Sequence, residues 1–308
     1  MSGWQCPVCR GTSSRLLWRV GGDATENGVD PHLFRPSADR YGETVGTVLR
    51  CLDCGHGSLA ETPTDETLAA AYGDAADPVS INEEDGQVET ARRSLERIER
   101  FVSPGRLVDL GCWTGSFVAA AADRGWTASG VEPSAWAVQR AHERGLDVRV
   151  GDLANSGVAE GSIRCVVMCD VIEHLLDVSA AIETAAAMLE PGGALYLTTP
   201  DAGGRLARLM GSRWWSILPM HVQYFTRASM RRLLERHGLH VVETASHPKV
   251  FTATYYAERL GGYSPALARA SVGLTRGAGF ANRLVSPDFH DRMQVIALKT
   301  RLNHSPNK

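Results

Sequence analysis

No run of apolar residues in this 308-residue chain is long enough to cross a bilayer, and the most apolar stretches are broken by charge or glycine at Asp170, Glu173 and Gly192. Lysine is nearly absent: Lys249, Lys299 and Lys308 are the only ones among 32 basic residues. An arginine bias of this kind follows GC-rich coding and carries no mechanism. Net charge is small as well, -3 with a pI near 6.4, so no strong field is available to recruit nucleic acid or an anionic membrane. The first residues, Met1-Ser-Gly-Trp-Gln-Cys6, lack the charged and apolar regions of a signal peptide. A cytoplasmic location is therefore expected. There the seven cysteines stay reduced, and paired cysteines favour metal over disulfide. Internal repeats and low-complexity tracts are also missing.

What is present is ordinary soluble composition, 44% hydrophobic and 22% charged, in a length that suits one large domain plus a small one. Residues 1–62 show little helical periodicity and hold four of the seven cysteines. Residues 63–102 read as a linker, rich in Ala, Asp, Pro and Gly up to residue 86, then an amphipathic helix over 87–102. Its apolar stripe is Val88, Ala91, Leu95, Ile98 and Val102. From Arg106 onward short apolar strands (107–110, 127–131, 146–150, 165–169, 194–198) alternate with helices (116–124, 134–144, 178–189). This alternation predicts a parallel sheet covered by helices on both faces. A helix at 227–237 and two β-rich runs, 239–251 and 292–299, follow. An insert over 254–288 has no readable form. The main domain is thus expected over 103–300, with a disordered tail at 301–308.

Cys6-Pro-Val-Cys9 and Cys51-Leu-Asp-Cys54-Gly-His56 make two C-x-x-C knuckles. A two-residue spacer lets both thiolates of a pair reach one ion at about 2.3 Å, and two pairs complete a tetrahedral shell with no open position. A structural zinc held by Cys6, Cys9, Cys51 and Cys54 is expected. The intervening stretch exceeds the usual 15 to 20 residues, so a loop must be inserted, expected at 21–39. Residues 1–60 hold six arginines and six acidic residues, a balance that gives no nucleic-acid patch.

The segment Asp109-Leu-Gly111-Cys112-Trp113-Thr-Gly115 ends a strand on an acid and opens a helix through glycines, which let a ligand approach the backbone closely. Gly130-Val-Glu132 follows, where a strand-end acid can accept from two ribose hydroxyls. Then come Gly151-Asp152-Leu153, Cys169-Asp170-Val171-Ile-Glu173-His174, and Glu190-Pro191-Gly192-Gly193. In this order the motifs resemble those of the class I S-adenosylmethionine-dependent methyltransferases, over about residues 87–250. Trp113 stands where that family commonly has a glycine. The resemblance implies a seven-stranded, Rossmann-like α/β sheet with helices on both faces, behind the small N-terminal zinc ribbon. It implies S-adenosylmethionine contacts from Asp109, Gly111, Cys112, Trp113, Gly115, Glu132, Asp152, Leu153, Asp170 and Val171.

His221-Val-Gln-Tyr224-Phe225-Thr226 resembles an acceptor-side element of the ubiquinone-type and sugar methyltransferases. It makes His221 the candidate general base, with a pKa suited to a hydroxyl near neutral pH, and His174 a weaker candidate. Trp214, Trp215, Tyr224 and Phe225 are expected either to wall the acceptor pocket or to bury a lid. Thr226 is a good N-cap for the helix behind it. The implied activity is transfer of a sulfonium methyl to a hydroxyl of a small molecule: a sugar, glycan precursor or secondary metabolite of natural-product or polysaccharide biosynthesis. The step is one in-line displacement, with no metal expected at the reacting centre. The partners expected are that acceptor and at most a second copy of the chain. Two rival readings exist. One is an RNA methyltransferase using the ribbon as a handle, which the neutral ribbon disfavours. The other is a non-catalytic cofactor-fold protein, which the retained Asp109, Glu132 and Asp152 disfavour.

Overall fold

The computed structural model describes residues 4–21 and 46–300. The expected tail 301–308 and most of the expected loop at 21–39 lie outside the described residues. The N-terminal part contributes β1 (Ser14–Val20), β2 (Gly46–Cys51) and β3 (Gly57–Leu59), then α1 (Asp65–Gly73), N-capped by the Thr64 hydroxyl. A short 3-10 turn over Pro78–Glu83 leads directly into α2 (Glu84–Ile98), so the amphipathic helix starts and stops a turn earlier than its pattern suggests. The alternating part follows as β4 (Arg106–Leu110), α3 (Ser116–Asp123), β5 (Thr127–Glu132), α4 (Ala135–Glu143), β6 (Val148–Val150) and β7 (Ile163–Cys169). Next come α5 (Val178–Met188), β8 (Leu189–Pro200), α6 (Arg205–Met210), β9 (Gln223–Tyr224) and α7 (Arg227–Arg236). The chain closes with β10 (Leu239–Ser246), β11 (Phe251–Thr252), α8 (Ala253–Arg259), α9 (Pro265–Gly277), β12 (Leu284–Val285) and β13 (Arg292–Lys299).

The main sheet has seven strands in the order β10-β13-β8-β7-β4-β5-β6. The five central and outer strands from β8 to β6 run parallel, and β13 slots antiparallel between β8 and β10. The alternation along each strand explains why both faces are covered. Leu107, Cys165, Val167 and Tyr196 point to one side, where α2 and α3 bring Ala91, Leu95, Ile98, Phe117 and Ala121. Their neighbours Val108, Val166, Met168, Leu195 and Leu197 point to the other, under α5 and α7. Strands with apolar residues on both sides are what a sheet between two helical layers requires. β8 begins five residues before the expected strand because Ile163 pairs Leu189 while Cys165 pairs Ala194, so Glu190–Gly193 is pushed out of register and still counts as strand.

The N-terminal sheet is completed from outside the ribbon. Its order is β1-β2-β3-β9, and β9 comes from just after His221. Cys6, Val8 and Cys51 share a core with Phe225, Met230 and Leu233, and Arg236 donates to the Val8 carbonyl. Trp18 packs edge-on against Tyr224 at 5.4 Å and near Trp214 at 6.2 Å. The aromatic cluster therefore fills the seam between ribbon and sheet: Trp214, Tyr224 and Phe225 are fully enclosed, and Trp215 rests against Phe289. The insert carries the α8–α9 pair, and the antiparallel pairing of β11 with β12 ties its two ends together. No helix among the described residues is long and apolar enough to cross a membrane.

Candidate active site

Two groups of residues meet at the carboxyl ends of the parallel strands. The first is built largely from backbone. After β4 the chain turns through Gly111 (φ +74), Trp113 (φ +50) and Gly115 (φ +81), so three residues in a five-residue stretch take left-handed backbone. A Cβ on Gly111 would meet Val171 Cγ2 at 2.6 Å, which places Val171 directly against this turn. Trp113 takes the conformation that favours glycine, and two contacts hold it there. Its backbone N–H donates to Glu132 Oε2 at 2.9 Å, and its indole N–H donates to the Ser80 hydroxyl at 3.1 Å. A non-glycine residue at this φ carries strain, so it persists where neighbours over-determine it.

Glu132 accepts from Trp113 N–H on one oxygen and from Ser134 N–H on the other, each at 2.9 Å. Burial raises its pKa, and those two backbone donors pull the other way. A carboxylate has about four acceptor sites, so two remain for ribose hydroxyls. Asp109 is buried behind it. Desolvation, then the Glu132 charge, push Asp109 up to about 8, and its Oδ1 has no hydrogen-bond partner among the described residues. Cys112 is another of the expected cofactor contacts. Its side chain packs in the layer with Val118, Val138 and Val148, against the Cα of Gly130, so it offers the site its backbone alone. Asp152 lies two residues past β6, exposed, and accepts from Asn155 N–H at 2.7 Å; Leu153 packs on the core beside it.

The second group is built from side chains. Asp170 takes left-handed backbone (φ +57), and its carboxylate accepts from the Thr198 hydroxyl, Lys249 and Arg292. These cations hold its pKa below the usual carboxylate range despite burial. Asp170, expected among the cofactor contacts, thus spends its carboxylate on two cations. The turn after it carries Glu173 and His174, and the segment before β9 brings His221 back against them. The His174 and His221 rings stand 4.8 Å apart at 70°. Tyr72 from α1 lies edge-on to His174 at 5.7 Å.

His221 Nδ1 meets the Ser216 carbonyl at 2.7 Å, and His174 Nδ1 meets the Met220 carbonyl at 3.1 Å. A carbonyl only accepts, so each Nδ1 carries the proton and each Nε2 keeps its lone pair in the neutral ring. Among the described residues, neither carboxylate oxygen of Glu173 meets a hydrogen-bond donor in good geometry, although the residue is 1% exposed. Burial, then the Asp170 charge, push it up to about 8. Burial lowers His174 to about 4 and drives His221 well below the ordinary histidine value, with His174 adding to the effect. The expectation of a near-neutral His221 is thereby corrected: desolvation keeps the ring neutral and makes it a weaker proton acceptor. Glu173, to which the sequence assigned no role, has the pKa nearest neutrality in the group. Its sole sequence signal was adjacency to His174. One ligand atom from each of Glu173, His174 and His221 fits within 4.8 Å, a set that can also hold a cation.

The four knuckle cysteines lie in the ribbon, against the core that Phe225 shares. Cys6 Sγ is 3.6 Å from Cys54 Sγ, Cys9 Sγ is 3.4 Å from Cys51 Sγ, and all four sulfurs lie within 4.8 Å of one another. Tetrahedral thiolates around zinc stand about 3.8 Å apart, so the donor set and spacing fit that ion.

The chain matches the methyltransferase domain family over residues 83–244. It is 32% identical over 105 residues to a Mycolicibacterium smegmatis protein named "Probable S-adenosylmethionine-dependent methyltransferase", a match covering 34% of this chain and 39% of that protein. It is 27% identical over 201 residues to the ubiquinone biosynthesis O-methyltransferase of Methylobacterium nodulans, covering 58% of this chain and 81% of that one. Among solved structures, a chain from the complex between the Haloferax volcanii Trm112 methyltransferase activator and a methyltransferase superposes with a TM-score of 0.52. That match is 21% identical and covers 78% of this chain and all of the other. It shows the shared fold.

Proposed function

We infer what this chain does from one premise: it belongs to the methyltransferase domain family, and it is an S-adenosylmethionine-dependent methyltransferase. The methyl group goes to a hydroxyl of a small molecule, a sugar, glycan precursor or secondary metabolite, in one in-line displacement. The backbone turn 111–115 cradles the methionine moiety, and Glu132 takes the ribose hydroxyls. Asp152 and Leu153 border the adenine, and Val171 closes the pocket against Gly111. The observation that carries the acceptor side is the bare Nε2 of a buried His221, fixed by the Nδ1 bond to Ser216. It accepts the hydroxyl proton as the oxygen attacks the methyl carbon and the carbon–sulfur bond breaks, leaving S-adenosylhomocysteine. The proton then rests on His221 as imidazolium, and Glu173, held mostly neutral by burial, lies beside it. The enzyme otherwise works by aligning oxygen, carbon and sulfur and excluding water. The four cysteines hold a structural zinc, which their spacing supports.

Glu132→Ala tests the cofactor half. Charge-assisted hydrogen bonds are each worth about 1.5 to 3 kcal/mol, so the variant should bind S-adenosylmethionine at least about tenfold more weakly. Titration calorimetry returning an unchanged dissociation constant removes Glu132 from the site.

A further inference from the structure

His56 follows the second knuckle, is fully buried, and is not among the four sulfur positions. The knuckle turn aims it inward: Gly55 takes φ +75, and Cys51 N–H donates to the His56 carbonyl at 2.8 Å. Its ring rests on Phe225 at 4.6 Å, and its Nε2 lies 2.9 Å from Gln223 Oε1. The donor assignment follows from the far end of Gln223. Its amide nitrogen faces the carbonyls of Leu175 and Leu176, at 3.0 and 3.3 Å, so both amide protons are spent there. The oxygen must then face His56, and His56 Nε2 must carry the proton.

Gln223 therefore touches three things at once. Its side chain grips the two residues after His174. Its backbone belongs to β9, paired with Ser58 of β3, and it lies two residues after His221. Its neighbour Val222 N–H donates to the Glu173 carbonyl at 2.9 Å. The turn carrying Glu173 and His174 and the segment carrying His221 are cross-tied at this point, and the tie continues through His56 into the cysteine knuckle.

We propose that His56 and Gln223 are positioning residues that transmit the geometry of the cysteine knuckle to Glu173, His174 and His221, so that the ribbon sets the acceptor side of the site and leaves the cofactor side alone. The proposal rests on the acceptor-side reading above, and its test separates the two. In zinc-replete protein, His56→Leu removes the donor to Gln223 and keeps an apolar side chain against Phe225. Zinc content should stay at one per chain and the S-adenosylmethionine dissociation constant should stay within about twofold. The imidazole nitrogen resonances of His174 and His221, read by NMR without any acceptor, should shift. On the acceptor, kcat should fall about 10- to 100-fold, as for loss of a group that orients a site residue. His56→Gln, whose amide can donate to the same oxygen, should restore part of both. Resonances that do not move overturn the relay. If they move while His221→Ala leaves kcat intact, the relay stands and the base assignment falls. Should His56→Leu fail to fold, Gln223→Met cuts the same tie with the knuckle histidine retained, and the same NMR readout decides.

Discussion

The cofactor side and the acceptor side of this site solve different problems with different materials. On the cofactor side, glycine turns and two backbone N–H groups present Glu132 within one contiguous stretch from Asp109 to Ser134. On the acceptor side, Asp170, Glu173 and His174 come from one strand end, His221 from a segment nearly fifty residues later, and Lys249 and Arg292 from farther still. Backbone-built sites tolerate surrounding change, because main-chain donors cannot be mutated away. A site built from buried titratable side chains depends on how each is desolvated and which charges face it, which is why Asp170 lies below the usual carboxylate range while His174 falls to about 4 and Glu173 rises to about 8.

The sharpest way to separate the halves is His221→Ala. General-base help is worth about 10² to 10⁴ in rate, so kcat on the true acceptor should fall by that factor while cofactor affinity holds. A variant with wild-type kcat removes His221 as the base and turns attention to Glu173. Cys51→Ser should come next in size. Losing one ligand from a structural site should drop bound zinc well below one per chain and lower Tm by about 5 °C or more, as elemental analysis and thermal unfolding would show. Unchanged zinc content would refute the cluster.

A paired substitution probes the backbone half. Gly111→Ala and Gly125→Ala both place a side chain on left-handed backbone, a cost of about 1 to 2 kcal/mol. At Gly125 nothing lies within 4 Å, whereas at Gly111 the new Cβ meets Val171. Both variants should lose stability, and the Gly111 variant should also bind S-adenosylmethionine more weakly. Equal cofactor affinity in the two would separate the turn from the ligand. The smallest effect concerns Glu173→Gln. The folded pKa of Glu173 is raised to about 8, so its neutral form is stabilising below the ordinary carboxyl range and that stability is lost as pH rises through about 8. Melting curves of variant and wild type should nearly coincide at pH 5, and the variant should melt higher at pH 9. A lower melting variant at pH 9 would mean that the ionised carboxylate is held by a partner.

Much of the cofactor half was legible because its parts are close in sequence: an acid at a strand end, then glycines, then a second strand-end acid. Trp113 shows the limit. Its departure from glycine was visible, but the Ser80 hydroxyl and the Glu132 carboxylate that hold its strained backbone belong to other elements. Cys112 sat in the right motif, and the turn after β4 points its side chain into the core. The aromatic cluster at 214–225 was read as a pocket wall or a lid; packing against Trp18 places most of it in the ribbon seam.

By itself the sequence determined the order of strands and helices, the strand-end acids, the glycine turns and the two cysteine knuckles, because hydrophobic period, turn chemistry and ligand spacing are all local properties. Tertiary structure alone decided that β9 completes the ribbon's sheet, that His174 and His221 meet ring to ring beside Glu173, and that a knuckle histidine reaches their turn through Gln223. It also decided the charge state of each. A pKa follows from how much water burial removes and which charges remain nearby, and both are set by residues far away along the chain.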